Sequence, residues 1–492
     1  MTSALLLLVA FAAPPSSSPS FDQTPREEDY WRIETVAAPD SVVLEVGGIL
    51  PIDDAHVMVC TRRGELWTIT NPWSEKPTFT LSLDGLQEPL GLLAPDGVGK
   101  GKPIYVAQRG ELSRMFDDDG DWRIDRVETA CAGWGISGNY HEYCFGPARD
   151  ADGDLWVTLN RPFGGEPFGP QDWRGWGVRI TPDGKAHFDV AGLRSPCGVG
   201  ASPDGEIFYS DNQGEWCPTN KFAVLKRGEF HGHPHGIESA KRAESNVEFP
   251  GPIPDGVLMP EAVRKIPHLR LPAVWFPYDK MGQSASGFEW DRSNGKFGPF
   301  AGQIFIGDQH HSSVMRTWLE KVDGEWQGAC FPFRSGFQCG IVRVAFLPDG
   351  SLAVGETNRG WGSRGTKEWG LERCVWSGVV PFEVLSMSAR PDGFRLTFTE
   401  PVDPASAGNP ASYRMTSYTY ELHERYGSDE MDTKPLRIAK AIVSDDKKSV
   451  DLVVDGLREA YVHELHANGV RSADGKPLLH PEAYYTLNRI PK

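Results

Sequence analysis

Three stretches of this chain share one plan. DADGDLWVTL (150–159), SPDGEIFYSD (202–211) and LPDGSLAVGE (347–356) each place Asp-Gly directly before a run that alternates apolar and polar residues. Glycine supplies the positive φ of a tight hairpin turn, and period-two alternation marks a strand with two unlike faces. A second echo sets the length of the unit. HVMVCTRRGELWTI (56–69) is matched by PIYVAQRGELSRM (103–115), and the shared Arg-Gly-Glu-Leu recurs from Gly64 to Gly110, 46 residues on. That is the length of a four-stranded propeller blade.

The expected fold is therefore all-β: a six-bladed β-propeller whose blades begin near residues 42, 88, 141, 192, 285 and 340. A long Pro-, Gly- and His-rich insertion at 230–287 is expected over one face. An array of β-sandwiches would explain the strands but not the period. Past Pro381 the spacing changes, with seven or so short strands in roughly 110 residues, the length and turn density of an immunoglobulin-like β-sandwich. The expected division is a signal peptide and disordered linker (1–25), the propeller (26–380) and the sandwich (381–492).

The charge balance excludes some functions. Fifty Lys and Arg against 67 Asp and Glu give a net charge of −17, with no basic block, so nucleic acid is not an expected partner. The apolar run Ala4–Ala13 is too short to span a bilayer and is followed by Pro and Ser. It reads as a secretory signal, with a membrane link at most through an uncleaved N-terminus, and the expected location is secreted or periplasmic. In that compartment eight cysteines permit disulfides, and Cys131/Cys144, Cys197/Cys217 and Cys330/Cys339 are the close pairs, leaving Cys60 and Cys374. Spacing does not fix connectivity. The absence of CxxCH removes covalently attached haem, and no CxxC pair points to structural zinc.

Candidate chemistry gathers in the loops that enter the innermost strands, which surround a propeller's channel. His141, in GNYHEYCFGP, has the side chain of a general base. Arg194 holds the equivalent place one blade on, where a guanidinium can stabilise an anion. In DDDGDWRID, Asp117, Asp119, Asp121 and Asp125 resemble the start of a calcium loop without its terminal glutamate. His231, His233 and His235 lack matched second ligands and are expected to line the pocket, with Gln309, His310 and His311 on the same face. Trp361 and Trp275 are candidates for stacking on a sugar ring.

The run GLRSPCGVGASPDGEIFYSDNQGEW, with LKRGEFHGHP after it, closely resembles a segment of the glucose/sorbosone dehydrogenase family, six-bladed propeller quinoproteins. NYHEYCFGPARDADGDLWVTL, PAVWFPYDKMGQSASGFEW and FAGQIFIGDQ resemble neighbouring blades, and with FTEPVD and YTLN the chain is similar to secreted sugar-dehydrogenase-like proteins of planctomycete-type bacteria. The resemblance implies oxidation of a small carbohydrate by pyrroloquinoline quinone (PQQ) on the propeller axis, with a separate electron acceptor. His141 would take the hydroxyl proton, and Arg194, with Ser195, Gln213, Gln309, His310 and Arg343, would face the cofactor. Calcium would sit on main-chain carbonyls of Gly214 and Glu215, with a second calcium at Asp117, Asp119 and Asp121. The chain departs from the family at Ser195, where Asn is usual, at Glu215, often Pro, and at Gln309-His310-His311, where a Lys is usual. Arg343 stands without a spaced second Arg. Two other readings are a calcium-dependent lactonase-type hydrolase using Asp211, Asn212 and Glu142, and a non-catalytic carbohydrate-binding propeller.

Overall fold

The computed structural model describes residues 24–164 and 171–492; the expected signal peptide lies outside them. Five antiparallel sheets form propeller blades. Blade one (46–83) and blade two (92–132) are simple four-stranded meanders. Blade three (144–191) gains a fifth strand, Glu229–Phe230, parallel to Ala186–Ala191. Blade four takes three strands from 198–224 and its outer strand, Val274–Phe276, from the far end of the insertion. The closing blade joins Ile341–Phe346, Leu352–Thr357 and Trp369–Trp376 to the N-terminal strand Trp31–Thr35. The expected blade starts lie within a few residues of the innermost strands because the local signals set them. Gly205, in the second Asp-Gly turn, has φ +80°, a value L-residues rarely adopt. Both Arg-Gly-Glu-Leu motifs fall between the second and third strands of their blades.

Between blade four and the closing blade, Ala285–Trp290, Ile304–Asp308, Ser313–Val322 and Glu325–Ser335 pair in the same up-and-down order. This meander does not end there. Glu325–Ser335 also pairs with Glu482–Leu487, with Cys330 opposite Tyr484, so the meander opens an 11-stranded sheet that runs through the C-terminal region. Met431–Val443 carries the chain between layers: its first half pairs with Arg414–Thr419 and its second with Ser449–Asp455. Ala329 and Phe331 of the meander share one core with Phe394, Leu396, Leu452 and Tyr485. The C-terminal strands thus share a sheet and part of a core with this meander.

The insertion runs out to the C-terminal strands and returns to the axis at Gln283 and Ser284. Its strand Val257–Leu258 pairs with Glu421–Leu422, and its helix Met259–Lys265 packs beside them. The disulfide expectation is also corrected. All eight cysteines are buried free thiols; Cys60 and Cys374 sit in different hydrophobic clusters, held apart by the blades they belong to. Burial pushes the thiols of Cys60, Cys144 and Cys217 up to about 12, which suppresses thiolate chemistry.

A buried ion triad ties the N-terminus to the C-terminal strands. His480 Nδ1 lies 2.6 Å from Glu383 and Nε2 3.1 Å from Glu27. Burial pushes the imidazole pKa down, but Glu383 and Glu27 outweigh it and hold it up at about 9. The sign follows from linkage: a histidine raised on folding adds stability that is complete below its unfolded pKa of roughly 6.5 and is lost as pH rises through the folded value. The midpoint of denaturant unfolding is expected to fall between pH 6.5 and 9, and His480→Gln is expected to flatten that limb. An unchanged slope in the variant would remove the triad from the account.

Candidate functional site

A cleft of about 350 Å³ opens on the axis at the end where the loops into the innermost strands gather. Its walls come from blades one to four, the meander, the closing blade and the C-terminal region. Among its residues are His141, Arg194, Ser195, Gln213, Glu215 and Gln309, six of the residues named from sequence.

His141 is held from both sides. Its ring lies flat on Phe163, centroids 3.3 Å apart, and its main-chain N–H donates to Asn139 Oδ1 at 3.0 Å. Nδ1 lies 2.8 Å from the carbonyl oxygen of Arg161. A carbonyl can only accept, so Nδ1 carries the proton and the Nε2 lone pair faces Ser195 Oγ, 3.2 Å away. Burial, then the charges of Arg194, Arg161 and Arg109, push the imidazole well below its ordinary value, leaving it neutral at pH 7.

Arg194 lies between Phe163 and Tyr426, whose centroids are 4.7 and 5.3 Å from its guanidinium carbon. Its Nη1 donates to Ser195 Oγ at 3.0 Å and its Nη2 to Glu215 at 3.1 Å; the same Glu215 oxygen accepts from Arg161 at 2.7 Å. Burial pushes the Glu215 carboxyl up, but Arg194 and Arg161 outweigh it and hold it below its ordinary value. Gly214 makes this arrangement possible, because a Cβ there would overlap the Arg194 guanidinium, 1.7 Å from Nε. Asp211, fully buried, accepts from the main-chain N–H groups of Arg194 (3.1 Å) and Ser195 (2.7 Å) and fixes the loop.

Several expected members lie elsewhere. Arg343 sits below the cleft in the axial channel, donating to the carbonyls of Cys197 (2.8 Å) and Leu90 (2.9 Å), and does not line the cleft. His310 turns to the carbonyl of Gly362 at 2.9 Å. His231 and His233 are buried away from the cleft, His231 against the Tyr209 hydroxyl at 2.9 Å. Trp275 is core, packed on Tyr420, whereas Trp361 stands at the rim, 45% exposed. The lactonase-type metal set does not assemble: Asp211 holds main-chain N–H groups, Glu142 accepts from Ser137 and Gly138, and only Asn212 lines the cleft.

The calcium expectations change too. The carbonyl of Gly214 already accepts the N–H groups of Cys217 (3.2 Å) and Gly427 (3.1 Å), which leaves it poorly placed as a ligand. In the acidic hairpin of blade two, Asp117, Asp119 and Asp125 draw together, with Asp125 in place of the expected Asp121, whose carboxylate accepts the Arg123 N–H at 2.8 Å. That hairpin does not line the cleft.

Sequence reasoning missed two cations and two aromatic walls. Arg62, beside Glu88 and 3.0 Å from the Tyr143 hydroxyl, and Arg359, 2.8 Å from Glu45, both line the cleft. Phe163 forms one wall, and Tyr426 reaches over from the C-terminal region, where Trp216 N–H donates to the His423 carbonyl at 2.9 Å. Arg62 stands one residue before the repeated Arg-Gly-Glu-Leu, where the second copy has Gln108, so the repeat did not mark it, and nothing local signalled Tyr426.

Comparison with known proteins finds likenesses of fold. Residues 76–267 match a family described as a domain of unknown function, DUF7133. No curated protein matches the sequence. A Trichoderma reesei protein of Carbohydrate-Active Enzymes Family AA12 superimposes with a TM-score of 0.50 at 12% identity, over 71% of this chain and 96% of its own. An oxidoreductase (glucose dehydrogenase) from Thermus thermophilus does so at 0.49 and 20% identity, covering 70% and 100%. The PQQ-bound aldose sugar dehydrogenase of Streptomyces coelicolor reaches 0.47 at 14% identity, covering 70% and 98%. At these identities the likeness is one of fold: an all-β propeller. Among the described residues no helix is long and apolar enough to cross a membrane.

Proposed function

We propose that the axial cleft is the catalytic site of an exported oxidoreductase acting on a hydroxyl of a sugar or polyol, on a propeller whose sixth blade is the 285–335 meander and whose C-terminal strands form an immunoglobulin-like sandwich fused to it. The observation that carries the reading is His141: buried, neutral, with Nδ1–H fixed on a carbonyl and its Nε2 lone pair turned into a cleft lined by arginines. A base so held takes a proton without prior deprotonation and without reorienting.

The surplus of guanidinium groups at the cleft favours an anionic cofactor such as PQQ, a flat group with three carboxylates. Three guanidinium groups (Arg62, Arg194, Arg359) line the cleft against the one carboxylate of Glu215, and with the ion-paired groups behind them (Arg109, Arg161, Glu45, Glu88) five cations stand against three carboxylates. Arg62, Arg194 and Arg359 would face the cofactor's carboxylates, with Gln213 and Gln309 as amide partners. When bound, PQQ supplies the hydride acceptor. The protein's part is to orient the substrate carbinol against it, to receive the hydroxyl proton at His141 Nε2 directly or through Ser195 Oγ, and to keep water out with Phe163 and Tyr426. Gly214 is not expected to hold calcium, so any calcium requirement would arise elsewhere.

PQQ titrated into the purified protein is expected to show saturable absorbance changes, and the loaded protein to reduce an artificial dye when given aldoses or polyols. No saturable change, together with no reduction across a broad sugar panel, overturns this reading and leaves a binding propeller in its place.

A further inference from the structure

Ser195, His141 and the Arg161 carbonyl stand in the order nucleophile, base and orienting acceptor. Ser195 Oγ lies 3.2 Å from His141 Nε2, and Nδ1 of the same ring lies 2.8 Å from the Arg161 carbonyl oxygen. Ser195 Oγ also accepts from Arg194 Nη1 at 3.0 Å, so its own hydrogen is free to point at Nε2. Both side chains line the cleft. This is the arrangement that activates a hydroxyl toward carbonyl carbon: a neutral base takes the proton and an adjacent cation stabilises the developing charge on oxygen.

We propose that this cleft also catalyses acyl transfer, with Ser195 as the nucleophile, and that its substrate class is the lactone of a sugar acid. The choice of lactone rests on the proposed oxidation, because removing the anomeric C–H hydrogen and the hydroxyl proton of a cyclic aldose produces one; the acyl chemistry of Ser195 does not depend on it. Ser195 Oγ forms a bond to the lactone carbonyl carbon while its proton passes to His141 Nε2. The ring C–O bond then breaks, and the leaving oxygen takes that proton back. In the second half, water gives its proton to Nε2 and attacks the acyl carbon, and Ser195 Oγ departs and is reprotonated. The sum is lactone plus water giving the hydroxy acid, with no oxidant, reductant or metal.

The oxyanion's donor is the Arg194 guanidinium. The main-chain N–H groups of Arg194 and Ser195 are taken by Asp211, and residue 196 is a proline without an N–H. With a single side-chain donor in place of a pair of N–H groups, the turnover expected is modest.

The test uses the purified chain without PQQ. A fluorophosphonate probe is expected to add once per chain, with the adduct mapped by peptide mass spectrometry to Ser195 of the unaltered protein. Hydrolysis of p-nitrophenyl acetate and of glucono-δ-lactone is expected to fall about 10²-fold or more in Ser195→Ala and in His141→Gln, and to persist in excess chelator. An adduct mapped to another residue or no adduct at all, or hydrolysis unchanged in Ser195→Ala, overturns the proposal. Labelling of Ser195 without dye reduction by the PQQ-treated protein would retain the acyl chemistry and reject the oxidation.

Discussion

His141→Gln is expected to lower kcat/KM for the sugar or polyol by about 10²- to 10⁴-fold, the range over which a positioned general base contributes, or about 3–5 kcal/mol of transition-state stabilisation. Glutamine keeps a donor for the Arg161 carbonyl and much of the ring's volume over Phe163, so the loss measures the base and not a collapsed wall. The pH dependence gives a sharper check. Burial and three arginine charges push the imidazole well below its ordinary value, so the neutral, proton-accepting form persists as pH falls through 6.5. The acid limb of kcat/KM is expected well below pH 6.5. Arg194→Met removes one of the charges that depress His141 and is expected to move that limb upward. ¹⁵N shifts of the His141 ring, followed from pH 8 to 4, test the same point without turnover; an imidazole titrating near 6.5 would refute it.

Arg174→Met is expected to cost about 3–5 kcal/mol in unfolding free energy, the second large effect. Arg174 is fully buried, and among the described residues it makes no salt bridge. Its guanidinium donates instead to the carbonyls of Gly135 (2.8 Å), Glu142 (3.0 Å), Tyr143 (2.9 Å) and Arg109 (2.9 Å), and so fastens the 135–143 loop on both sides of His141. Burial draws the pKa of the group down to about 10, which still leaves it charged at pH 7. Methionine fills part of the space but donates nothing, so four carbonyls lose a charged donor, each worth about 1.5–3 kcal/mol before water recovers part of it. Denaturant unfolding gives the global loss. Limited proteolysis is expected to cut first within 135–143, and a stable variant with that loop protected would show that the loop is held by other means.

Much of the scaffold was legible because its determinants are local. An Asp-Gly turn, alternation over five or six residues and a 46-residue echo all act within one blade, so the innermost strands begin close to where the repeat put them. Two of the site's residues were equally visible: His141 and Arg194 precede equivalent strands of adjacent blades, and a closed ring of blades turns equivalent positions toward one axis. Arg343 shows where that logic stops. It stands inside an inner strand rather than before one, and its side chain enters the channel beneath the cleft, where carbonyls of Leu90 and Cys197 hold it.

The sequence by itself determined the all-β repeat, the approximate blade starts and the pairing of a histidine with an arginine near the axis, because turn chemistry and strand periodicity are written in neighbouring residues. Only the tertiary structure decided what surrounds them. Glu215 reaches Arg194 across 21 residues and Arg161 across 54; Arg62 and Arg359 arrive from blade one and the closing blade; and Tyr426 comes from strands tied to the propeller by the pairing of Gly328 with Thr486. Such contacts depend on which edges and loops meet when the ring closes. No periodicity records that meeting, and so the balance of charge around His141, and the loss of the Gly214 carbonyl as a calcium ligand, could be read only from the assembled fold.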